Sequence, residues 1–367
     1  MGSQDDTPSS QAQPHLGDSI NIATRALHAK LNKTILQHFP LALPPHTTNP
    51  SAYLTGLLHI APIYLAFESI WQSILDAAES PPLDPSQSPS PSTSSNRTHT
   101  LLLLLQTLHH PRLTRTSHLL ADIHALTNWP KPTIPAKLRQ LLHTTTAAGD
   151  EDEDNNLNTF LTHITQSTTA RPHVLLAYAW VLYMALFAGG TVLRAALEGA
   201  GVGFWGGGAA APEGCDSVFF EEGEEKEKRG RTEPVLQECL LPPLGFFRFE
   251  EGEGEGGEDL KGEFKRRFGE AGRELTVEER EEVVREAGRV FEGVAGVVAQ
   301  LDLGAGWFGV GEWVLGRLGV GKQKGGTLFA GVGKGKGGQR SVYEVGAWSV
   351  VALLMVGVGL GLRYAWK

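Results

Sequence analysis

The segment from Pro172 to Leu193, PHVLLAYAWVLYMALFAGGTVL, constrains the fold of this chain more than any other part of it. It is largely apolar and contains no acidic residue, which predicts a buried helix. The adjacent glycines Gly189 and Gly190 interrupt it, and each glycine inside a helix costs about 1 kcal/mol relative to alanine. Such a pair marks either a bend or a place where the backbone touches something large and flat.

Composition and charge favour a single folded domain with flexible additions. The chain has 367 residues, of which 41% are hydrophobic, and its 44 glycines and 21 prolines cluster in a few tracts typical of linkers. The net charge is −9, with acidic residues concentrated at 150–154 and 221–258, which argues against a nucleic-acid-binding surface. Cys215 and Cys239 form neither a CxxC motif nor a metal-ligand set, so we expect a reduced, cytosolic domain.

Hydrophobic periodicity predicts an all-α protein, because no stretch shows the alternation that is typical of strands. We expect a first helix that begins at Asp18 or Ser19 and stops at Pro40. A second helix should follow with a candidate kink at Pro62. The second and later helices are expected at 51–78, 101–126, 137–143, 157–164, 172–193, 260–268 and 277–301, the last of them opening with the capping box of Thr276 and Glu279.

These patterns divide the chain into four regions. Residues 1–17 are expected to be disordered, and residues 18–303 to form a helical domain with low-complexity insertions at about 80–100, 148–156 and 200–258. A glycine-rich basic linker is expected at 304–344, and a membrane segment at 345–366.

The membrane segment is predicted to be a single C-terminal transmembrane helix. Val345 to Leu362 carries no charge and would be about 27 Å long, which suits a thin bilayer such as that of the endoplasmic reticulum. Few residues follow this span and several lysines precede it, so we expect a tail anchor in membrane lipid, with the domain facing the cytosol. Gly357 and Gly361 have the GxxxG spacing through which two spans pair, which suggests a homodimer.

Two motifs resemble those of heme oxygenases. Ala23-Thr24-x-x-x-His28, near the start of the first helix, is similar to the motif that carries their proximal histidine. The segment with Gly189 and Gly190 resembles their distal helix, in which glycines let the backbone lie against the face of the porphyrin. The resemblance covers most of 18–301. It implies a heme-oxygenase-like helical bundle that holds heme between the first helix and the glycine-paired helix.

The resemblance also implies roles for particular residues. His28 would bind the heme iron, and neutral imidazole suits iron because it donates electron density without adding charge. Without the resemblance, such a histidine would be an ordinary hydrogen-bonded residue at the edge of the core. Lys265 falls where the family pairs a basic residue with the heme propionates, and Arg25 and Arg266 are further candidates. Each of the three equally suits a solvated surface.

One position departs from the family pattern. Where heme oxygenases carry Gly-Asp-x-Ser-Gly-Gly, this chain has ALFAGG at 185–190, so Leu186 replaces the aspartate that organises proton delivery. Tyr183 lies one turn earlier and offers a hydrogen bond. A phenol with a pKa of about 10 is nevertheless a poor substitute for a carboxylate and its water.

Three functional interpretations therefore stay open. The first is a membrane-anchored heme oxygenase that takes electrons from an NADPH-dependent reductase and releases biliverdin, carbon monoxide and iron. The second is a non-catalytic module that binds or senses heme. The third is a membrane-tethered helical scaffold whose slot no longer holds heme.

Overall fold

The computed structural model describes residues 14–38, 42–79, 93–146, 156–205, 242–249 and 257–303. Within these ranges the regular secondary structure is helical and includes no strand, which confirms the predicted all-α class. The predicted linker at 304–344 and transmembrane helix at 345–366 lie outside the described residues, as do most of the three insertions.

The described ranges contain ten α-helices. They are α1 (Leu16–His38), α2 (Ser51–Glu79), α3 (Thr93–Leu108), α4 (Thr116–Thr127), α5 (Ile134–Thr146), α6 (Asn156–Ala170), α7 (Leu175–Ala185), α8 (Thr191–Glu198), α9 (Glu258–Glu274) and α10 (Val277–Leu303). A π-helix (Leu186–Gly190) joins α7 to α8, and single 3-10 turns occur at Lys131–Thr133, Pro172–Val174 and Gly245–Phe247.

Two long apolar helical stretches form the centre of the core. The stretches Ser51–Ala78 and Pro172–Glu198 are long and apolar enough to cross a membrane, but most of each is buried inside the domain. In α7, every residue except Met184 is buried. The helix therefore contacts protein on all sides, and the prediction of a buried helix in this segment is confirmed.

The glycine pair lies in a π-helix that continues α7 directly into α8. Hydrogen bonds from i to i+5 define such a turn, and π-helices are rare enough that they often mark functional sites. Tyr64 of α2 packs beside it and donates its hydroxyl to the Leu182 carbonyl at 3.1 Å. The interruption that the two glycines predict thus takes the form of one wide helical turn.

The structure corrects several predicted boundaries. α1 begins at Leu16, inside the region expected to be disordered, because the His15 ring accepts a hydrogen bond from the Gly17 N–H (3.2 Å) and so caps the first turn. α3 begins at Thr93, inside the insertion expected at 80–100. The single helix expected at 101–126 is two helices, because Pro111 lies between α3 and α4 and stops the first.

Residues 242–249 belong to the core, although they fall inside the insertion expected at 200–258. Phe246 and Phe247 are fully buried. The Asp122 carboxylate of α4 accepts hydrogen bonds from the backbone N–H groups of Gly245 (3.0 Å) and Phe246 (2.8 Å). Two charge-assisted bonds to consecutive backbone groups fix this short segment against α4.

The capping box predicted at the start of α10 is formed. The Thr276 N–H donates to the Glu279 carboxylate at 2.9 Å, and the Glu279 N–H donates to the Thr276 hydroxyl at 3.2 Å. Arg97 of α3 pairs with the same Glu279 and donates to the Glu274 carbonyl at 3.0 Å. The turn between α9 and α10 is therefore stabilised both by its own capping box and by hydrogen bonds from α3.

A buried carboxylate, Glu286 of α10, joins three helices from inside. It accepts the Tyr178 hydroxyl of α7 at 2.7 Å and lies 2.7 Å from the His163 ring of α6. Burial by itself raises the pKa of Glu286, but the contacts with Tyr178 and His163 outweigh it and leave the pKa below its ordinary value. The carboxylate is therefore ionised and its polar partners are satisfied.

Two pairs of helices are in close contact at a glycine. A Cβ on Gly17 of α1 would overlap the Trp180 ring of α7, and a Cβ on Gly293 of α10 would overlap the Phe160 ring of α6. Gly288 lies on the same helix as Gly293, yet a Cβ there would meet no atom within 4 Å. Gly288 and Gly293 thus differ in whether a neighbouring helix occupies the space beside them.

This difference predicts opposite effects for the same substitution. Gly293→Ala should lower the free energy of unfolding by about 1–3 kcal/mol, because the Phe160 ring has to move to admit the methyl group. Gly288→Ala should raise it by up to about 1 kcal/mol through its better helix propensity. Urea unfolding followed by circular dichroism measures both, and a loss of equal size in the two variants would contradict the packing of α6 on α10.

Candidate functional site

His28 lies on the buried face of α1, with 6% of its surface exposed. The Phe291 ring of α10 stands nearly perpendicular to it, with ring centroids 5.7 Å apart. Burial lowers the pKa of His28 to about 4, so the imidazole is neutral near pH 7. Its Nε2 atom is buried and has no hydrogen-bond partner among the described residues. A neutral ring with an unused buried nitrogen is suited to metal ligation.

The side-chain oxygen of Asn32 is a second buried atom without a hydrogen-bond partner in the described part of the chain. Asn32 follows His28 by four residues, so the two side chains share one face of α1. The other such atoms in the described ranges, on Trp129 and Arg194, lie on different elements. Buried polar atoms are nearly always hydrogen-bonded in native proteins. This face of α1 is therefore a place where protein contacts alone leave polar groups unsatisfied.

The start of α1 is fixed to α7, which leads into the glycine pair. The Trp180 indole N–H donates to the Asn21 side-chain oxygen at 3.2 Å, and the same ring packs against Gly17. His28 lies about 10 Å further along the helix axis than Asn21. These contacts set the spacing of the two helices that the sequence predicts as the walls of a heme slot.

The distal residues predicted from the sequence are packed against protein. Leu186 is 1% exposed, so its side chain belongs to the core. A Cβ on Gly190 would meet the Phe247 ring at 3.3 Å, which means that this ring covers the glycine; Gly189 beside it is also buried. The group that lies close to the Gly190 backbone is thus the phenyl ring of Phe247. Contact of Gly189 and Gly190 with heme stays a prediction.

The Tyr183 hydroxyl is engaged by a buried carboxylate that sequence reasoning did not single out. It donates to Glu68 of α2 at 3.0 Å. The same carboxylate accepts the backbone N–H groups of Arg115 (2.8 Å) and Thr116 (3.0 Å), and the Thr116 hydroxyl at 2.6 Å. Since those N–H groups begin α4, Glu68 caps that helix. Burial raises the pKa of Glu68 despite the opposing effect of these hydrogen bonds.

A sequence signal for Glu68 existed. It is the only Asp, Glu, Lys or Arg between Ser51 and Leu75, and a lone carboxylate in an apolar helix requires donors from elsewhere in the fold. Those donors come from α4 and α7, so no local pattern identifies them. The segment 172–193 contains no acidic residue, but Glu68 of α2 accepts a hydrogen bond from its Tyr183.

The three predicted basic residues occupy different environments. Lys265 of α9 is half-buried, whereas Arg25 of α1 is exposed, and neither forms an ion pair within the ranges that the structure describes. Arg266 is exposed and pairs with Glu270 one turn along α9, at 2.7 Å. Lys265 and Arg25 are therefore the better candidates for contacting a charged ligand, and Arg266 already has a local partner.

Comparison with known proteins gives a structural likeness only. No family model and no curated protein sequence matches the chain. The solved structures that we compare with it are heme oxygenases. The chain is similar to heme oxygenase from Leptospira interrogans, with 14% identity and a TM-score of 0.46 over 77% of this chain and 98% of the other.

Two further structures are similar to the same extent. Heme oxygenase 2 from Chlamydomonas reinhardtii, determined without heme, is 15% identical with a TM-score of 0.46, over 76% of this chain and 94% of its own. Heme oxygenase-1 from the cyanobacterium Synechocystis sp. PCC6803, in complex with heme, is 14% identical with a TM-score of 0.46, over 83% and 100%. At these identities and TM-scores the likeness carries neither a ligand nor an activity over to this chain.

The Glu68 contacts predict a difference between two buried tyrosines. Tyr183→Phe should lower the free energy of unfolding by about 1.5–3 kcal/mol when Glu68 is ionised, because the lost bond is to a charged group. Tyr64→Phe loses a bond to a neutral carbonyl and should cost about 0.5–1.5 kcal/mol. Chemical denaturation at several pH values measures the gap. A gap that is absent at every pH would contradict ionisation of Glu68 in the folded protein.

Proposed function

We propose that this protein binds heme, with His28 as the axial ligand of the iron. The observation that carries the proposal is the buried Nε2 atom of His28, which lacks a protein partner. An unsatisfied polar atom in a packed interior costs stability unless a ligand or water meets it. The lowered pKa of His28 supports the same assignment, because only the neutral ring has a lone pair for a metal.

The remaining predicted contacts fit this proposal. The heme propionates are negatively charged, and Lys265 and Arg25 are cations without an ion-pair partner in the described ranges. Phe291 offers the edge of an aromatic ring beside the ligating imidazole and so helps to hold its orientation. Bound heme would supply an iron that exchanges electrons and binds oxygen.

Heme binding is better supported than heme cleavage. Cleavage to biliverdin, carbon monoxide and iron, with electrons from an NADPH-dependent reductase, needs controlled proton delivery on the distal side. Leu186 offers no polar atom there. The Tyr183 hydroxyl, the nearest alternative along the helix, already donates to Glu68. We therefore place a heme-binding or heme-sensing role first. The oxygenase activity that the sequence motifs suggest is the second candidate.

We also propose that the domain is tethered to a membrane. The uncharged stretch of 345–362, preceded by a basic linker, supports a single-pass anchor in the endoplasmic reticulum with the domain in the cytosol. Gly357 and Gly361 support pairing of two anchors. Such a tether would hold the domain beside other membrane proteins, including a reductase.

Heme ligation is tested by changing His28 and a matched histidine. His28→Ala should remove the absorption band of imidazole-ligated heme and weaken hemin binding by more than about 100-fold, since even residues that only support a metal ligand are worth 10–100-fold. His59 is equally buried, and its pKa is also lowered to about 4, but its Nδ1 contacts the Thr55 carbonyl at 2.8 Å. His59→Ala should keep the heme spectrum. An unchanged spectrum in the His28 variant refutes His28 as the axial ligand, and a wild type that binds no hemin favours a scaffold without heme.

Leu186 decides between binding and cleavage. With a reductase present, the wild type should form biliverdin slowly or not at all, and Leu186→Asp, alone or with Ala185→Gly for space, should increase the yield. Burying the new carboxylate should cost several kcal/mol of stability unless water reaches it. Leu193→Asp, at an equally buried position beyond the glycine pair, is the control and should give no increase. Rapid biliverdin formation by the wild type would restore the oxygenase interpretation.

A further inference from the structure

We propose that Tyr178 is a redox-active residue, whose ring gives one electron to a strong one-electron oxidant while the Glu286 carboxylate takes its phenolic proton. The inference goes beyond heme binding and does not depend on it, because both groups belong to the chain and are already in contact. It gives a chemical role to a buried pair that the proposed function leaves unused.

The Tyr178 hydroxyl is enclosed and directly bonded to a base. Its residue is fully buried, and the hydroxyl donates to the Glu286 carboxylate at 2.7 Å. The Ser167 hydroxyl lies 3.1 Å away on the other side. Glu286 is 1% exposed. A proton can therefore pass from the phenol to the carboxylate within one hydrogen bond, with no rearrangement of either side chain.

Basic side chains keep this carboxylate ionised. Nε2 of His163 lies 2.7 Å from one carboxylate oxygen of Glu286, and the Arg289 and Arg171 guanidinium groups lie 3.4 and 3.8 Å from the other. Burial raises the pKa of Glu286, but the contacts with Tyr178 and His163 lower it below its ordinary value. A phenol that has lost an electron is a very strong acid, so even this weakened base accepts its proton.

The other tyrosines of the described ranges have different acceptors. Tyr53 and Tyr64 donate their hydroxyls to backbone carbonyls, which are much weaker bases than a carboxylate. Tyr183 donates to Glu68, but burial raises the pKa of that carboxyl. Among the tyrosines that the structure describes, Tyr178 is thus the one whose carboxylate partner has a lowered pKa. A backbone carbonyl would satisfy the hydroxyl equally well, so the carboxylate adds a capacity that packing does not require.

The electron and the proton balance among three groups. The oxidant gains one electron, Tyr178 becomes a neutral phenoxyl radical, and Glu286 becomes a neutral carboxylic acid. Reduction of the radical returns the proton from Glu286 to the phenol. The Phe67 ring stacks on Tyr178 with ring centroids 6.5 Å apart, and both residues are shielded from solvent. An enclosed radical meets neither water nor a second radical, so the pair can store one oxidising equivalent.

Photochemical oxidation of the full chain in detergent, without hemin, tests the inference. Tyr343→Phe and Tyr364→Phe provide a background in which only the four described tyrosines remain. Ruthenium(III) tris-bipyridine, generated by a light flash with persulfate, is the oxidant. Electron paramagnetic resonance detects the radical, and ring-deuterated tyrosine distinguishes it from a tryptophan radical.

The variants should separate the two partners. In that background, Tyr178→Phe should remove the long-lived tyrosyl signal. Glu286→Gln keeps the shape but removes the base, and it should slow radical formation by about 100-fold or more. Glu286→Asp keeps a carboxylate and should recover the rate at least in part, which a loss through misfolding alone would not allow. Tyr64→Phe is the matched control and should change neither the yield nor the rate.

Two results would overturn the inference. A tyrosyl signal that survives in Tyr178→Phe would place the radical on another residue. A rate that is the same with glutamate, glutamine and aspartate at position 286 would show that Glu286 does not take the proton. Because no hemin is added, neither result bears on heme binding through His28, and failure of heme binding leaves this inference intact.

Discussion

The burial of α7, in which only Met184 is not fully enclosed, is the constraint on which the rest of the domain depends. A helix without an exposed face has to be surrounded, and three neighbouring helices contact it through specific residues. α1 meets it at Gly17, where the Trp180 ring takes the place of a side chain. α2 supplies the Glu68 carboxylate for Tyr183, and α10 supplies Glu286 for Tyr178. Polar atoms on an otherwise apolar helix thus specify which helix lies on which side, which apolar contacts alone do not.

His28 and Glu68 are opposite cases of buried polarity. Glu68 receives four hydrogen bonds from three residues, so its carboxylate is fully used in joining helices. His28 is about equally buried, yet its Nε2 is used by none of the described residues. Because the interior leaves so few polar atoms unpaired, an unpaired one on the inner face of α1 is informative. The Tyr183 hydroxyl resembles Glu68 in this respect, because its hydrogen is already donated to that carboxylate.

Much of the fold was predictable from local pattern, and the parts that were not depend on partners from distant residues. The apolar periodicity of α2 and the capping box at Thr276 needed only neighbouring residues, and both predictions are confirmed. The prediction of one helix at 101–126 was wrong. Leucines occur on both sides of Pro111, so the apolar pattern did not show that the helix ends before this proline. Asn32 and Glu68 were missed for a different reason. Whether a buried polar side chain finds a hydrogen-bond partner depends on which helices pack beside it in the fold. The spacing of residues along the chain does not give this information.

The π-helix also sets the rotational phase of all that follows it. A π turn contains about one residue more than an α turn, and each residue rotates a helix by about 100°, so α8 is turned by that angle relative to an uninterrupted continuation of α7. In this phase Leu193 and Leu197 face the core and Val192 faces solvent. Rewinding this segment as an α turn with all its residues kept would thus rotate α8 by about 100° and carry Leu193 and Leu197 away from the core. Loss of one residue at the same time would cancel that rotation, so the chain can become one residue shorter here without reorienting α8.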